Sequence, residues 1–218
     1  MTRRTAPLTV DRMVDLPNRC RACLFWELDP VRRSRVAARD AVEEKEGWVS
    51  QVLREWGSCG RIAVVDDEVV GYVIYAPASF TPGIDSFPTA PVSPDAVVMT
   101  TLYVDPAHRR GGIGRLLIQA MARDLIERGG IRAVEVFADT RGVTGHCLVP
   151  AEFCLRVGFR TQRAHRTTPR LRMDLRTALT WRDEVEQALE RLVGVVRPIV
   201  SPAPKASRPS ARGSESIR

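Results

Sequence analysis

"LYVDPAHRRGGIGRLLIQAM", residues 102–121, passes from an apolar run through two arginines and three glycines into a segment of helical period. Ile113, Leu117, Ala120, Met121 and Leu125 share one helical face, and Gly129 with Gly130 closes the run. The first amides of a helix have no internal partner and lie at the positive end of its dipole, so a strand entering a glycine-rich turn and then a helix makes an anion site. The dipole contributes only about 0.3 to 1 kcal/mol, whereas each charge-assisted hydrogen bond adds about 1.5 to 3 kcal/mol. Converging amides would therefore decide the binding of a diphosphate. Gly112 and Gly114 let the backbone approach closely, and Arg109, Arg110 and Arg115 offer planar forks suited to phosphate oxygens. Two nucleotide motifs fail on residues. The G-x-x-x-x-G-K-[ST] loop is absent, and Leu117 stands where G-x-G-x-x-G needs its third glycine.

The flanks set the order of elements. "APLTVDRMVDL" reads as a short strand and a turn of helix, and "VRRSRVAARDAVEEKEGWVSQVLREW" after Pro30 has the helical period and should end near Gly57. "RIAVVDDEVVGYVIYAPA" splits at Asp66 and Asp67 into a hairpin of antiparallel strands. From Pro77 to Asp95 five prolines exclude a central strand or a helix interior, which leaves a loop serving as a lid over a cleft or as a mobile insertion. "AVVMTTLYVD" and "AVEVFAD" are strands on either side of the glycine-entered helix and should pair in parallel. A short helix "PAEFCLRVGF" and an extended region to about Arg176 follow. The expected fold is α/β (α+β), a mixed sheet with helices on both faces. Residues 1–176 form the domain. Residues 177–194 add a C-terminal helix that packs on the domain or on a second copy of it in a homodimer, and residues 195–218 are a disordered basic tail rich in Pro, Ser, Ala and Arg.

The net charge is +7, but the basic residues are arginines apart from Lys45 and Lys205 and are spread along the whole chain, with no aromatic-basic interleaving, which argues against a nucleic-acid partner. The first residues contain no apolar run resembling a signal peptide, and the stretch around "VVGYVIYA" falls far short of the ~20 residues of a membrane span. The expectation is a cytoplasmic protein that meets no membrane. Its five cysteines, Cys20, Cys23, Cys59, Cys147 and Cys154, are then free thiols by default. Cys20-x-x-Cys23 supplies only half of a tetrahedral metal site, which Cys147, Cys154 or His146 would complete only if folding brought them close; no metal is expected.

Arg109-x-x-Gly112-x-Gly114, after "LYVDP" and before an amphipathic helix, resembles the acetyl-CoA signature of the GNAT acyltransferase superfamily, and "RVGF", residues 156–159, is similar to that family's G-F ending. The order of elements from about residue 6 to 176 is also similar. The resemblance implies a mostly antiparallel mixed sheet with a central V-shaped splay between the strands ending at Asp105 and Asp139. Main-chain groups of Leu102, Tyr103 and Val104 would bind the pantetheine arm of acetyl-CoA. Arg109 and the amides of Arg110, Gly111, Gly112, Ile113, Gly114 and Arg115 would bind its pyrophosphate. The implied function is transfer of an acetyl group from acetyl-CoA to a primary amine, with a protein lysine slightly favoured over a small-molecule amine.

Direct transfer needs a neutral amine and a proton for the leaving thiolate. A lysine with pKa near 10.4 is neutral in only about 1 in 2,500 molecules at pH 7, a deficit of about 4.6 kcal/mol, against ~1 kcal/mol for an α-amine. The family often places a tyrosine acid four residues before the glycine of G-F and an asparagine seven residues earlier; these positions hold Cys154 and Cys147. Glu27, Glu135 and Cys154 are the candidates for acid–base work, each with a plainer reading as an ion-paired or core residue. Phe25 and Trp26 fall where the superfamily shapes its acceptor pocket. The alternative function is a non-catalytic, acyl-CoA-binding regulatory module.

Overall fold

The computed structural model describes residues 2–142 and 147–176. The expected C-terminal helix and tail lie outside the described residues, as does His146. Strand β1 (Arg3–Pro7) is followed by a 3-10 turn at Asp11–Asp15 and helices α1 (Asn18–Arg21), α2 (Pro30–Arg35) and α3 (Ala41–Trp56). Strands β2 (Gly60–Val65), β3 (Glu68–Ala76) and β4 (Ala96–Val104) lead to α4 (Ile113–Arg128), β5 (Ala133–Asp139), β6 (Val149–Pro150), α5 (Ala151–Arg156), β7 (Arg160–Arg163) and β8 (Arg170–Asp174). The sheet order is β1-β2-β3-β4-β5-β8-β7, with β6 beside β5. Only β4–β5 and β5–β6 are parallel among the strand pairs described, so the sheet is mixed and mostly antiparallel, as expected.

Alternation along the strands divides the core between two faces. Ala63, Val73, Tyr75, Val97, Met99, Val134 and Val136 meet the α4 stripe, including Ile113, Leu117, Met121 and Leu125. Each of those larger helix side chains contributes about 1.5 to 3 kcal/mol of transfer free energy by burial. On the opposite face Ile62, Val64, Tyr72 and Ile74 meet Trp48, Val49 and Val52 of α3, and Val98 with Phe137 meets Trp26. The hairpin turn at Asp66 and Asp67 has positive φ at both residues, 46° and 69°, the twist a two-residue hairpin needs.

The single helical run expected over residues 31–56 is two helices. Asp29 caps α2, its Oδ1 accepting from the Val31 and Arg32 amides at 2.9 and 3.0 Å, with Pro30 in the first turn. Val36 then turns extended, and α3 restarts after Asp40 with Glu43 and Glu44 in its first turn. That acidic helix start was written inside the periodic run, and exposed Val31 never belonged to the buried stripe. Gly57 ends α3 in the left-handed region, its amide donating to the Val52 carbonyl at 3.1 Å.

The proline-rich segment is a built wall. It carries two 3-10 turns, Ala78–Phe80 and Pro82–Ser86, and buries Ile84, Phe87 and Val92 against Trp26 and Phe137. Phe87 stacks on Trp26 at 5.4 Å and on Phe137 at 4.7 Å. The Gly83 amide donates to Trp26 O at 3.0 Å, and Trp48 Nε1 donates to Phe80 O at 2.7 Å. Aromatic contacts and hydrogen bonds tie the segment to α3 and to the Trp26 cluster. Among the described residues no helix is long and apolar enough to cross a membrane.

Candidate functional site

Strand β4 stays paired with β3 up to Val104, which lies opposite Gly71, but with β5 only from Ala96 to Val98, opposite Ala133 to Glu135. Thr100 is the extra residue of a β-bulge, since Thr101 pairs with Ile74 and Met99 with Tyr75. A bulge bends its strand and raises local twist, so β4 leaves β5 just after their last pair. From Met99 to Val104 the β5-facing edge of β4 has no strand partner among the described residues, while β5 keeps β8 on its other edge from Ala133 to Phe137 and pairs with β6 at Ala138 and Asp139. This is the splay, and it opens towards the start of α4.

The turn into α4 is knit by the chain. Asp105 Oδ1 accepts from the Ala107 amide at 2.9 Å, and Arg3 Nη1 donates to Gly111 O at 2.7 Å. Arg110 holds a φ of 63° and Gly112 one of 83°, both left-handed. Gly112 is the N-cap residue and brings no side chain to cover the amides of Ile113, Gly114 and Arg115. Gly114 also serves packing. A Cβ there would lie 3.0 Å from the ring of Phe153, so glycine lets α5 close on the first turn of α4. Arg109 Nε donates to Val104 O at 3.1 Å and ties the strand end to the turn. Ile113 is core. Leu102 and Val104 pack on the α4 side, whereas Tyr103 stacks on Tyr72 at 5.5 Å on the other face. Those two tyrosines line a cavity of about 330 Å³ with Asp15, Leu16, Pro17 and Asp105.

The acid–base candidates lie apart. Glu135 is fully buried and engaged on both oxygens: Arg170 Nη1 donates to Oε2 at 2.8 Å, Arg172 Nη1 to Oε1 at 3.3 Å, and the Ser93 amide to Oε2 at 3.2 Å. Arg172 also grips Asp95 with two bonds of 2.9 Å, which hold that carboxyl below its usual range. Glu27 is buried against Lys45, whose ammonium also donates to Cys23 O at 3.1 Å. Cys154 is fully buried among apolar side chains, and burial pushes its thiol up to about 12, so it is neutral at physiological pH. The plainer reading of all three, ion pair or core, describes their surroundings. Replacing Cys154 with serine should cost about 1 to 3 kcal/mol by burying a hydroxyl without a designed partner. Urea unfolding measured beside kcat checks this; a fall in kcat at unchanged stability would instead give the thiol a chemical role.

Two features were invisible in the linear pattern. Cys23 and Cys147 come together, with sulfurs 3.0 Å apart, while Cys154 belongs to the core under α4. Among the described residues no group of three or more His, Cys, Asp or Glu is placed to hold a metal ion. Second, Glu27, Asp40, Glu43 and Glu44 converge with Trp48 and Phe80 on a groove of about 490 Å³. Nothing in the sequence pattern had marked an acidic pocket, because the wall at residues 79–82 is needed to complete it.

Residues 22–144 match the acetyltransferase (GNAT) family. Among solved structures, the chain resembles the PaiA N-acetyltransferase of Thermoplasma acidophilum in complex with coenzyme A, with a TM-score of 0.51 and 14% identity over 80% of this chain and 99% of that one. It also resembles the loading GNATL domain of CurA from Lyngbya majuscula, with a TM-score of 0.50 and 10% identity over 81% of this chain and all of that domain. At such identities the likeness is one of fold. No curated protein matches the sequence.

Proposed function

The chain belongs to the GNAT acetyltransferase family, and on that premise we propose that it transfers an acetyl group from acetyl-CoA to a primary amine, a protein lysine in preference to a small molecule. It is an acyltransferase by family. The observation that carries the donor half is the splay of β4 from β5 beside a helix start whose N-cap residue has no side chain to cap it. The amides from Arg110 to Arg115 would hold the pyrophosphate, and the free edge of Leu102 to Val104 would hold the pantetheine arm, with Arg109 fixing Val104. The PaiA neighbour, which was solved with coenzyme A, supports a ligand of this type. The thioester supplies an activated acetyl group; the chain's part is to orient it and the amine for direct attack.

For the acceptor, the acidic groove supports a cationic partner. With Glu27 held by Lys45, the carboxylates of Asp40, Glu43 and Glu44 outnumber Arg32 in the groove and, beside two aromatic rings, suit an ammonium flanked by peptide. Capture and chemistry make opposite demands, since carboxylates favour the charged amine while attack needs the neutral one. The groove should therefore govern binding. Glu43→Gln with Glu44→Gln is expected to raise KM for lysine peptides about tenfold, the equivalent of ~1.4 kcal/mol, with kcat nearly unchanged. Release of free thiol from acetyl-CoA, followed over a panel of acceptors, measures this. Turnover confined to small amines rejects the lysine preference, and no turnover despite tight cofactor binding favours a non-catalytic acyl-CoA-binding module.

A further inference from the structure

Cys23 and Cys147 are 124 positions apart in the chain, yet their sulfurs approach to 3.0 Å. A disulfide bond is about 2.05 Å long, so a shift of about 1 Å would join them. Both residues are partly exposed. Cys23 follows α1 and leads directly into Phe25 and Trp26. Cys147 opens the run into β6, which lies along the end of β5. Cys147 and Leu148 pack on the same cluster as Phe25, built from Trp26, Phe87, Val98 and Phe137.

The surroundings favour reaction at Cys23. The hydrogen bond from Cys147 is the main cause that lowers Cys23 to about 6, assisted by the Phe25 amide and the charge of Lys45, while burial and Glu27 oppose it. The same bond raises Cys147, as do its burial and the nearby Cys20. The Tyr72 hydroxyl is a further neighbour, held neutral by burial. A thiol near 6 is mostly thiolate at neutral pH, and the thiolate is the attacking species.

We propose that Cys23 and Cys147 form a reversible disulfide that staples the segment carrying Phe25 and Trp26 to the connection leaving β5. The oxidant is a low-molecular-weight disulfide of the glutathione class. The Cys23 thiolate attacks one sulfur of that disulfide, whose S–S bond breaks and releases one small thiolate. Cys147 then loses its proton to that thiolate, and its sulfur attacks the Cys23 sulfur of the mixed disulfide. The second small thiolate leaves and takes a proton from water. In sum two protein thiols are oxidised and one small disulfide is reduced to two thiols. The bridge closes a long loop and restricts the unfolded chain, so the oxidised form should melt at a higher temperature.

The test needs no acyl transfer, so its outcome is separate from that of the proposed function. The full chain is incubated with glutathione disulfide, its remaining thiols are alkylated in denaturant, and the tryptic peptides are analysed by mass spectrometry. Trypsin cuts after Arg21 and so separates Cys20 from Cys23, and fragmentation distinguishes Cys147 from Cys154. The expected result is a fall from five alkylatable thiols to three, with the peptide of Cys23 joined to that of Cys147 and released by dithiothreitol. Cys20→Ser should keep the bridge, and Cys23→Ser or Cys147→Ser should each abolish it. Five free thiols at saturating oxidant, a bridge that uses Cys20, or stoichiometric zinc released only by alkylating Cys23 would each overturn the proposal.

Discussion

Gly112→Glu should remove coenzyme A binding by at least a hundredfold while leaving the chain folded. The backbone at Gly112 has a φ of 83°, and a Cβ there meets nothing within 4 Å. The structural cost is therefore conformational, about 1 to 2 kcal/mol for a non-glycine residue in the left-handed region. The cost to the ligand is larger. The carboxylate would compete for the amides of Ile113, Gly114 and Arg115 and repel the diphosphate. Loss of two charge-assisted hydrogen bonds is worth about 3 to 6 kcal/mol, which is a factor of roughly 10² to 10⁴ in Kd. Gly112→Ala separates the two effects, since it carries the strain without the charge and should weaken binding far less. Isothermal titration with coenzyme A, run beside urea unfolding, reads both quantities. Affinity within tenfold of the parent in the glutamate variant, with the fold intact, would place the pyrophosphate elsewhere and remove the basis of the donor site.

The second large effect is expected at Glu135, on stability. Its carboxylate has no solvent exposure and holds Arg170 and Arg172 from β8 together with the Ser93 amide of the proline-rich wall. Removing one partner of a buried ion pair costs about 3 to 5 kcal/mol; Arg172 keeps Asp95, so the cation left without its carboxylate is Arg170. Glu135→Gln keeps the shape and removes the charge, so the loss is electrostatic. In a domain of this size each kcal/mol moves Tm by about 2 to 4 °C, so a fall of roughly 10 °C is expected. Arg170 also donates to the carbonyl of Pro91, so the wall should loosen with it. Calorimetry beside acetyl transfer at a temperature where the variant stays folded distinguishes the roles. An unchanged Tm with kcat reduced a hundredfold or more would make Glu135 the general base and overturn its reading as an anchor.

Much of the fold was legible because its signals are local. The α4 stripe, its closing glycines, the apolar β-rich runs of β2 to β5 and the Asp66–Asp67 turn each depend on residues within one or two turns or strands of each other. The helix break at residues 36–40 was written locally too, in Asp40 followed by Glu43 and Glu44, but the apolar period around it masked the second start. The proline-rich segment was readable only as neither strand nor helix. Its order comes from Trp26, Phe137 and Glu135, which are distant in sequence.

The candidate site divides in the same way. A glycine-entered helix after a strand is a local arrangement, so the chain alone determined where that helix entrance would lie. Whether Glu135 is a base or an anchor depends on the β5–β8 register, which sets Glu135 opposite Arg172. Likewise Cys23 meets Cys147, and Glu27 joins Asp40, Glu43 and Glu44 around a groove, only once the sheet has brought separate segments together. Hydrophobic period and turn chemistry act between near neighbours, whereas the charge and reactivity of a buried group are set by whatever the finished packing puts within a few ångströms of it.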